Sequence, residues 1–220
     1  MSLTLSPGRL LGEGGQALLV LASQRGPAWT LQPAWRHIAE AVGPPSGAFL
    51  ELSCGVGWLS LYVASGRAEL DAVGIDDDPV AIGVGERNKG GRLNVTLRVM
   101  DPARIVYPDR TFDAAAAVRA GARWPDPQAV FAEVHRVLRP GASFHVYEGD
   151  PALRDWPEGW LRSPGPWLPK AAILAWFRRG ALPDAGWEAL KVAARQSPFG
   201  GGTEGTHGPF RRLTLTKAAR

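Results

Sequence analysis

Short apolar runs alternate with helical patterns between residues 47 and 149, the order expected of a parallel sheet built from βαβ units. Residues 48–52 form a compact apolar run after the turn Pro44-Pro45-Ser46-Gly47. Beyond two glycines the pattern resumes at helical spacing over residues 58–64. Residues 70–75 read as a second strand that ends in Asp76-Asp77-Asp78-Pro79, and residues 80–88 read as the next helix. Proline is tolerated at that helix start because the amide it lacks would have no helical partner. Residues 94–99 and 112–118 predict a third and a fourth strand. Val130, Phe131, Val134, Val137 and Leu138 recur at helical spacing within residues 126–138. Arg139-Pro140-Gly141 stops that helix, and residues 143–148 supply a fifth strand.

Right-handed crossovers wind these strands into one open sheet with helices on both faces. Two further strand-like stretches, residues 188–194 and 211–216, enclose a glycine-rich turn at 199–208 and predict an antiparallel pair at the sheet edge. Residues 151–183, rich in Pro and Trp, fall outside the alternation and predict a small helical cap over the ligand-binding end. The expected organisation is a single α/β domain over residues 1–220. It comprises N-terminal helices at 1–43 (with 29–42 the better helix), a core at 44–150, the cap at 151–183 and edge strands at 184–220.

Composition narrows the class without changing this picture. A hydrophobic share of 45% and a charged share of 21% suit a soluble globular chain. The one cysteine, Cys54, rules out an internal disulfide and a multi-cysteine zinc site, and leads us to expect a reducing, cytoplasmic setting. No apolar run spans a bilayer, so no membrane partner is expected. His37, His135 and His207 are scattered without acidic partners at ligand spacing, so no metal is expected. The net charge of +4 is concentrated late: residues 151–220 carry 11 Lys and Arg against 5 Asp and Glu. Such a region can attract nucleic acid, but the absence of any run of five like charges favours a solvated surface.

Candidate chemistry begins at Glu51-Leu52-Ser53-Cys54-Gly55-Val56-Gly57. A glycine turn between a strand and a helix lets a ligand approach the backbone. Asp76 follows Gly55 by 21 residues, at the end of the next strand, where a carboxylate can accept both hydroxyls of a ribose. These features together point to a cofactor containing a nucleoside. Spacing alone does not separate two such cofactors, because Gly55-x-Gly57-x-x-Ser60 also approximates a dinucleotide fingerprint.

Four segments in order extend the pattern. They are the run 49–57, Val73-Gly74-Ile75-Asp76-Asp77-Asp78-Pro79, Asp101 with 107–113, and Glu133-Val134-His135-Arg136-Val137-Leu138-Arg139-Pro140-Gly141. In these segments the chain resembles class I S-adenosylmethionine-dependent methyltransferases of the small-molecule type. A nicotinamide-dependent oxidoreductase has no reason to carry the last of them. The resemblance implies a Rossmann-like sheet of seven strands, mostly parallel, with the last antiparallel, and S-adenosylmethionine as cofactor. It further implies that Ser53, Gly55 and Gly57 surround the methionine part and that Glu51 places its ammonium. Asp76 takes the ribose and Asp101 the adenine amino group, with Asp77 and Met100 flanking the ring.

Two residues depart from the family pattern: Ser53 replaces a glycine, and Pro102 lacks the N–H that commonly meets the adenine. For the acceptor, a small molecule is expected, beside the ends of strands four and five. That position nominates Arg119, Tyr147 and Glu148 as candidate catalytic residues, with Trp156, Trp160, Trp167 and Trp176 available to line a pocket for a flat or apolar acceptor. The run Ala117-Val118-Arg119-Ala120 lacks the Asn/Asp-Pro-Pro-aromatic signature of enzymes that methylate amino groups of bases. Two other function classes remain open: a methyltransferase-like binding protein without catalysis, motivated by Ser53 and Pro102, and an oxidoreductase using NAD or NADP.

Overall fold

The computed structural model describes residues 31–161 and 170–219. Trp29, Trp167 and most of the expected N-terminal helical region lie outside them. Helix α1 (Gln32–Val42) leads into strand β1 (Gly47–Leu52), helix α2 (Trp58–Ala64), strand β2 (Leu70–Asp76), helix α3 (Pro79–Lys89) and strands β3 (Val95–Val99) and β4 (Phe112–Val118). A 3-10 turn at Gly121–Arg123 precedes helix α4 (Pro127–Val137) and strand β5 (Leu138–Gly149). Helices α5 (Lys170–Arg179) and α6 (Asp184–Gln196) and strands β6 (Thr203–His207) and β7 (Phe210–Thr216) complete the chain.

The seven strands form one sheet in the order β3-β2-β1-β4-β5-β7-β6. Strands β1 to β5 are mutually parallel, whereas β7 runs antiparallel to both β5 and β6. Chain order reverses between β1 and β4, and in an open α/β sheet that reversal opens a crevice at the carboxyl ends of the strands. One face buries Leu50, Leu52, Phe144 and Val146 against α4 and α6. The other buries Phe49, Ala72, Ala116 and Tyr147 against α1, α2 and α5. No helix among the described residues is long and apolar enough to cross a membrane.

The core strands lie where the apolar runs predicted, and the sheet has the expected mostly parallel order. The C-terminal end differs from the expected order. Residues 188–194, expected as a strand, belong to α6, because Trp187, Leu190, Ala193 and Ala194 bury one helical face. The strand that pairs with β7 is instead β6, inside the stretch read as a glycine-rich turn. Its side chains are mostly exposed, so no apolar alternation marks it in the sequence.

Two sets of contacts fix the helices and connections against the sheet. Arg136 donates to Tyr107 O, Ile105 O, Glu133 and Asp109, while Glu133 Oε2 accepts Ile105 N–H at 2.9 Å. The Glu133–Arg136 segment thereby pins the connection between β3 and β4 to α4. Gly74 on β2 lies opposite Glu51, and a Cβ there would stand 2.7 Å from Leu97 Cδ2 and 3.0 Å from both Cys54 Sγ and Ser60 Oγ. Only a residue without a side chain lets α2 settle this closely on the sheet. Gly74→Ala is expected to destabilise the fold by about 1–3 kcal/mol through overpacking, read as a lower urea midpoint at unchanged slope.

Candidate functional site

The turn after β1 is built from three residues with left-handed backbone: Ser53 (φ 52°), Gly55 (φ 56°) and Gly57 (φ 77°). For Ser53 this geometry costs roughly 1–2 kcal/mol, which glycine would avoid. Its hydroxyl offsets part of that cost by accepting the Trp124 indole N–H at 3.0 Å. A Cβ on Gly55 would meet nothing within 4 Å, so this position faces open space, as a ligand approaching the backbone requires. Gly57 is confined instead, since a Cβ there would stand 2.8 Å from Leu97 Cδ2.

Glu51 is buried at the end of β1, and its Oε2 accepts both the Ser60 N–H (2.7 Å) and the Ser60 hydroxyl (2.6 Å). The carboxylate thus ties β1 to the first turn of α2, where the helix dipole favours negative charge. Ser60, which the spacing placed at the third glycine of a dinucleotide fingerprint, serves as this donor pair. Burial raises the Glu51 carboxyl more than the Ser60 hydrogen bonds lower it, pushing it up to about 7.

Asp76 is wholly buried and forms the centre of the arrangement. Its Oδ2 accepts Gly55 N–H at 2.7 Å, and its Oδ1 accepts Asp78 N–H at 2.9 Å. The Arg123 guanidinium then grips both oxygens, Nη2 to Oδ1 at 2.6 Å and Nη1 to Oδ2 at 3.1 Å, while Nη2 also reaches Asp77 Oδ1 at 2.8 Å. Burial opposes the charged form, but the Arg123 hydrogen bonds and charge outweigh it and hold the Asp76 carboxyl below the usual range. Arg123 was missed by sequence reasoning. It stands 47 residues from Asp76 in an irregular connection, and a lone arginine there carries no spacing signal.

The adenine-side candidates lie further out along β2 and β3. Asp77 is exposed apart from its Arg123 contact, and Asp101 is exposed, its Oδ1 accepting Ala103 N–H at 2.8 Å. Met100 Sδ receives Val106 N–H at 3.3 Å. Pro102 has no amide to offer, and the next one along is already used by Asp101.

Of the three acceptor-side candidates, two come together and one is turned away. Arg119 follows β4 with φ 55°, its N–H donating to Tyr147 O at 2.7 Å. Glu148 is buried, and its Oε1 accepts Gly121 N–H at 2.7 Å. Burial raises its carboxyl, and the field of Arg119 draws it partly back. Tyr147 precedes Glu148 on β5, so their side chains leave opposite faces of the sheet. It packs in the aromatic group of Phe210 and His207, at 6.3 and 5.8 Å between ring centroids. Trp156 and Trp160 join the same cluster through Phe177, Phe210 and His207.

The residue types therefore suit a nucleoside cofactor: an open glycine turn, a carboxylate bonded to it at the end of β2, and a further carboxylate at the end of β3. In this arrangement Arg123 engages the carboxylate at the end of β2, and Trp124 the Ser53 hydroxyl within the turn. Two cavities, of about 440 and 550 Å3, lie elsewhere, one lined by Lys191, Arg195 and Glu204 and the other by Ser65, Arg67 and Asn94.

Comparison with known proteins agrees with this geometry. Residues 50–146 match the family described as methyltransferase domain. The chain is similar to the sterol 4-C-methyltransferase strm-1 of Caenorhabditis elegans, at 32% identity over 51% of this chain and 34% of the relative. It is also similar to the sterol 24-C-methyltransferase erg6 of Aspergillus fumigatus, at 29% identity over 51% of this chain and 30% of the relative. The chain spans about a third of the length of these curated relatives. Among solved structures, the fold resembles a putative S-adenosyl-L-methionine-dependent methyltransferase from Methanococcus maripaludis, with a TM-score of 0.75 at 15% identity over 100% of this chain and 98% of the other. A SAM-dependent methyltransferase from Aquifex aeolicus gives 0.61 at 16% identity, over 94% of this chain and 98% of the other.

The buried Glu51 carboxyl makes stability depend on pH. Between about pH 4.5 and 7 the unfolded chain releases this proton while the folded chain keeps it. The contribution of Glu51 to stability therefore falls across that window by up to about 3 kcal/mol and is level above it. Glu51→Gln is expected to flatten this decline, measured as the difference in urea unfolding between wild type and variant at several pH values.

Proposed function

On the premise that residues 50–146 form a class I S-adenosylmethionine-dependent methyltransferase domain, we propose that the chain transfers a methyl group from this cofactor to a small-molecule acceptor. The observation that carries the reading is the hydrogen bond from Gly55 N–H to Asp76. It joins the open glycine turn after β1 to a carboxylate at the end of β2, on the carboxyl side of the sheet where chain order reverses. In this reading Asp76 holds the ribose, with Asp77, Met100 and Asp101 beside the adenine. Ser53, Gly55, Gly57 and Glu51 surround the methionine part.

When bound, the cofactor supplies a methyl carbon already activated by a sulfonium leaving group. What remains for the protein is alignment and exclusion of water. Asp76 supplies orientation through its fixed oxygens, and the Trp124 indole holds the Ser53 hydroxyl in the turn. Glu148, near Arg119, is the group on the acceptor side able to take a proton if the acceptor must lose one. The relatives named for sterol methylation support a small-molecule acceptor. A reducing, cytoplasmic setting suits the single thiol, and a division into cofactor-binding core, cap and a closing segment of α6, β6 and β7 belongs to the same reading.

A second reading, a methyltransferase-like binding protein without turnover, is favoured by one observation: Arg123 and Trp124 already occupy Asp76 and Ser53. Turnover of any acceptor in a metabolite screen removes it. A thermal shift with NAD or NADP, and none with S-adenosylmethionine, would replace both readings by an oxidoreductase.

Calorimetric titration with S-adenosylmethionine and S-adenosylhomocysteine is the direct test, and absence of binding to either overturns the proposal. Asp76→Ala is expected to weaken binding by about 1.5–3 kcal/mol, the scale of a charge-assisted hydrogen bond. Arg123→Ala should act in the opposite direction and tighten binding, because the ribose no longer has to displace the guanidinium. Weaker binding in that variant would make Arg123 a cofactor contact instead.

A further inference from the structure

Arg119 is a half-buried arginine at the end of β4 whose guanidinium has no carboxylate within salt-bridge distance among the described residues. Arg123, Arg136, Arg139 and Arg211 each pair with an aspartate or glutamate. Among the described residues, the Arg119 guanidinium forms no salt bridge and donates no hydrogen bond. Among these residues, none takes up the five N–H groups with which a guanidinium can meet a carboxylate in a planar fork.

The surrounding chain is shaped to hold that cation in place. The Arg119 guanidinium lies 4.9 Å from the Trp176 ring centroid and 5.2 Å from that of Phe177, both in the last turn of α5. Just beyond α5, Gly180 leaves space that any Cβ would take from Arg119 Nη2. The backbone is fixed as well, strained at φ 55° and bonded to Tyr147 O at the end of β5. Burial disfavours the charge, and the nearby Glu148 recovers only part of the loss. A flexible surface arginine needs none of these provisions.

Its place in the sheet is equally specific. Ala117 pairs with Leu52 and Val118 with Tyr147, so Arg119 emerges beside the glycine turn and beside the end of β5. We propose that Arg119 is an anion-recognition residue, its guanidinium receiving a carboxylate carried by the ligand of this site. That carboxylate belongs either to an organic-acid acceptor or to the amino-acid part of the cofactor. This inference rests on the methyltransferase reading and deepens it by naming the charge the site selects.

Calorimetry on wild type and Arg119→Gln separates the sources with two matched pairs of probes. S-adenosylhomocysteine and 5′-methylthioadenosine share a nucleoside thioether, but only the first carries a carboxylate. Benzoate and benzamide, titrated with saturating S-adenosylhomocysteine, differ in the same way. The variant should lose about tenfold in affinity for a charged probe while its neutral counterpart is unchanged. Loss confined to benzoate assigns the carboxylate to the acceptor, and loss confined to S-adenosylhomocysteine assigns it to the cofactor. If the glutamine variant does not fold, Arg119→Lys keeps the charge, loses the planar fork and should show the same selective loss to a smaller degree.

Unchanged affinity for both charged probes, with at most a lower melting temperature, would make Arg119 a clamp for α5 and overturn the proposal. Failure of wild type to bind either nucleoside is a separate result, and it overturns the methyltransferase reading itself.

Discussion

The Asp76 carboxylate is shut away from solvent, yet its two oxygens accept four N–H groups from three separate stretches of chain. A buried charge is tolerable only when it is paired and hydrogen-bonded, so each donor is constrained by the need to satisfy it. Gly55 N–H fixes the glycine turn against β2. Asp78 N–H shapes the start of α3, where the Asp78 side chain in turn accepts Val80 N–H and caps the helix. Arg123 draws the connection between β4 and α4 across the crevice. The same carboxylate thus organises the loop, the next helix and the connection after β4.

That connection carries four interactions at the site within a few residues. Arg119 sits between the rings of α5, Gly121 N–H meets Glu148, Arg123 meets Asp76 and Trp124 meets Ser53. Glycine is required at position 121, because a Cβ would stand 2.7 Å from Leu190 Cδ1 and 3.1 Å from Glu148 Oε1. The segment therefore lies close to β5 and α6 while its arginine and tryptophan extend back over β1 and β2. In the proposed reading a ribose reaching Asp76 would compete with Arg123, which would link binding to rearrangement of residues 121–124.

Most of the core was legible because its signals are local. Apolar runs bounded by Gly and Pro marked β1, β2 and β4, and helical spacing marked α4 through Val130, Phe131, Val134 and Val137. The glycine turn and Asp76 were legible for the same reason, each lying at the end of an identifiable strand. What stayed hidden depends on contacts distant in sequence. Thr203–His207 is an edge strand with mostly exposed side chains, so its pairing with β7 leaves no apolar alternation. Residues 188–194 carry enough apolar positions to pass for a strand, and only the burial of Trp187, Leu190 and Ala194 on one face identifies the helix. Ser53 was visible as a departure from glycine, but its partner Trp124 stands 71 residues away. Arg123 meets Asp76 solely through folding.

Cofactor binding at this site requires Asp76 to exchange one partner for another. A crystal structure of the protein with S-adenosylhomocysteine tests this most directly. The expected result shows both Asp76 oxygens on the ribose hydroxyls, Gly55 N–H still bonded to the carboxylate, and the Arg123 guanidinium withdrawn. Density for the ligand elsewhere, with Arg123 still on both Asp76 oxygens, would contradict the account.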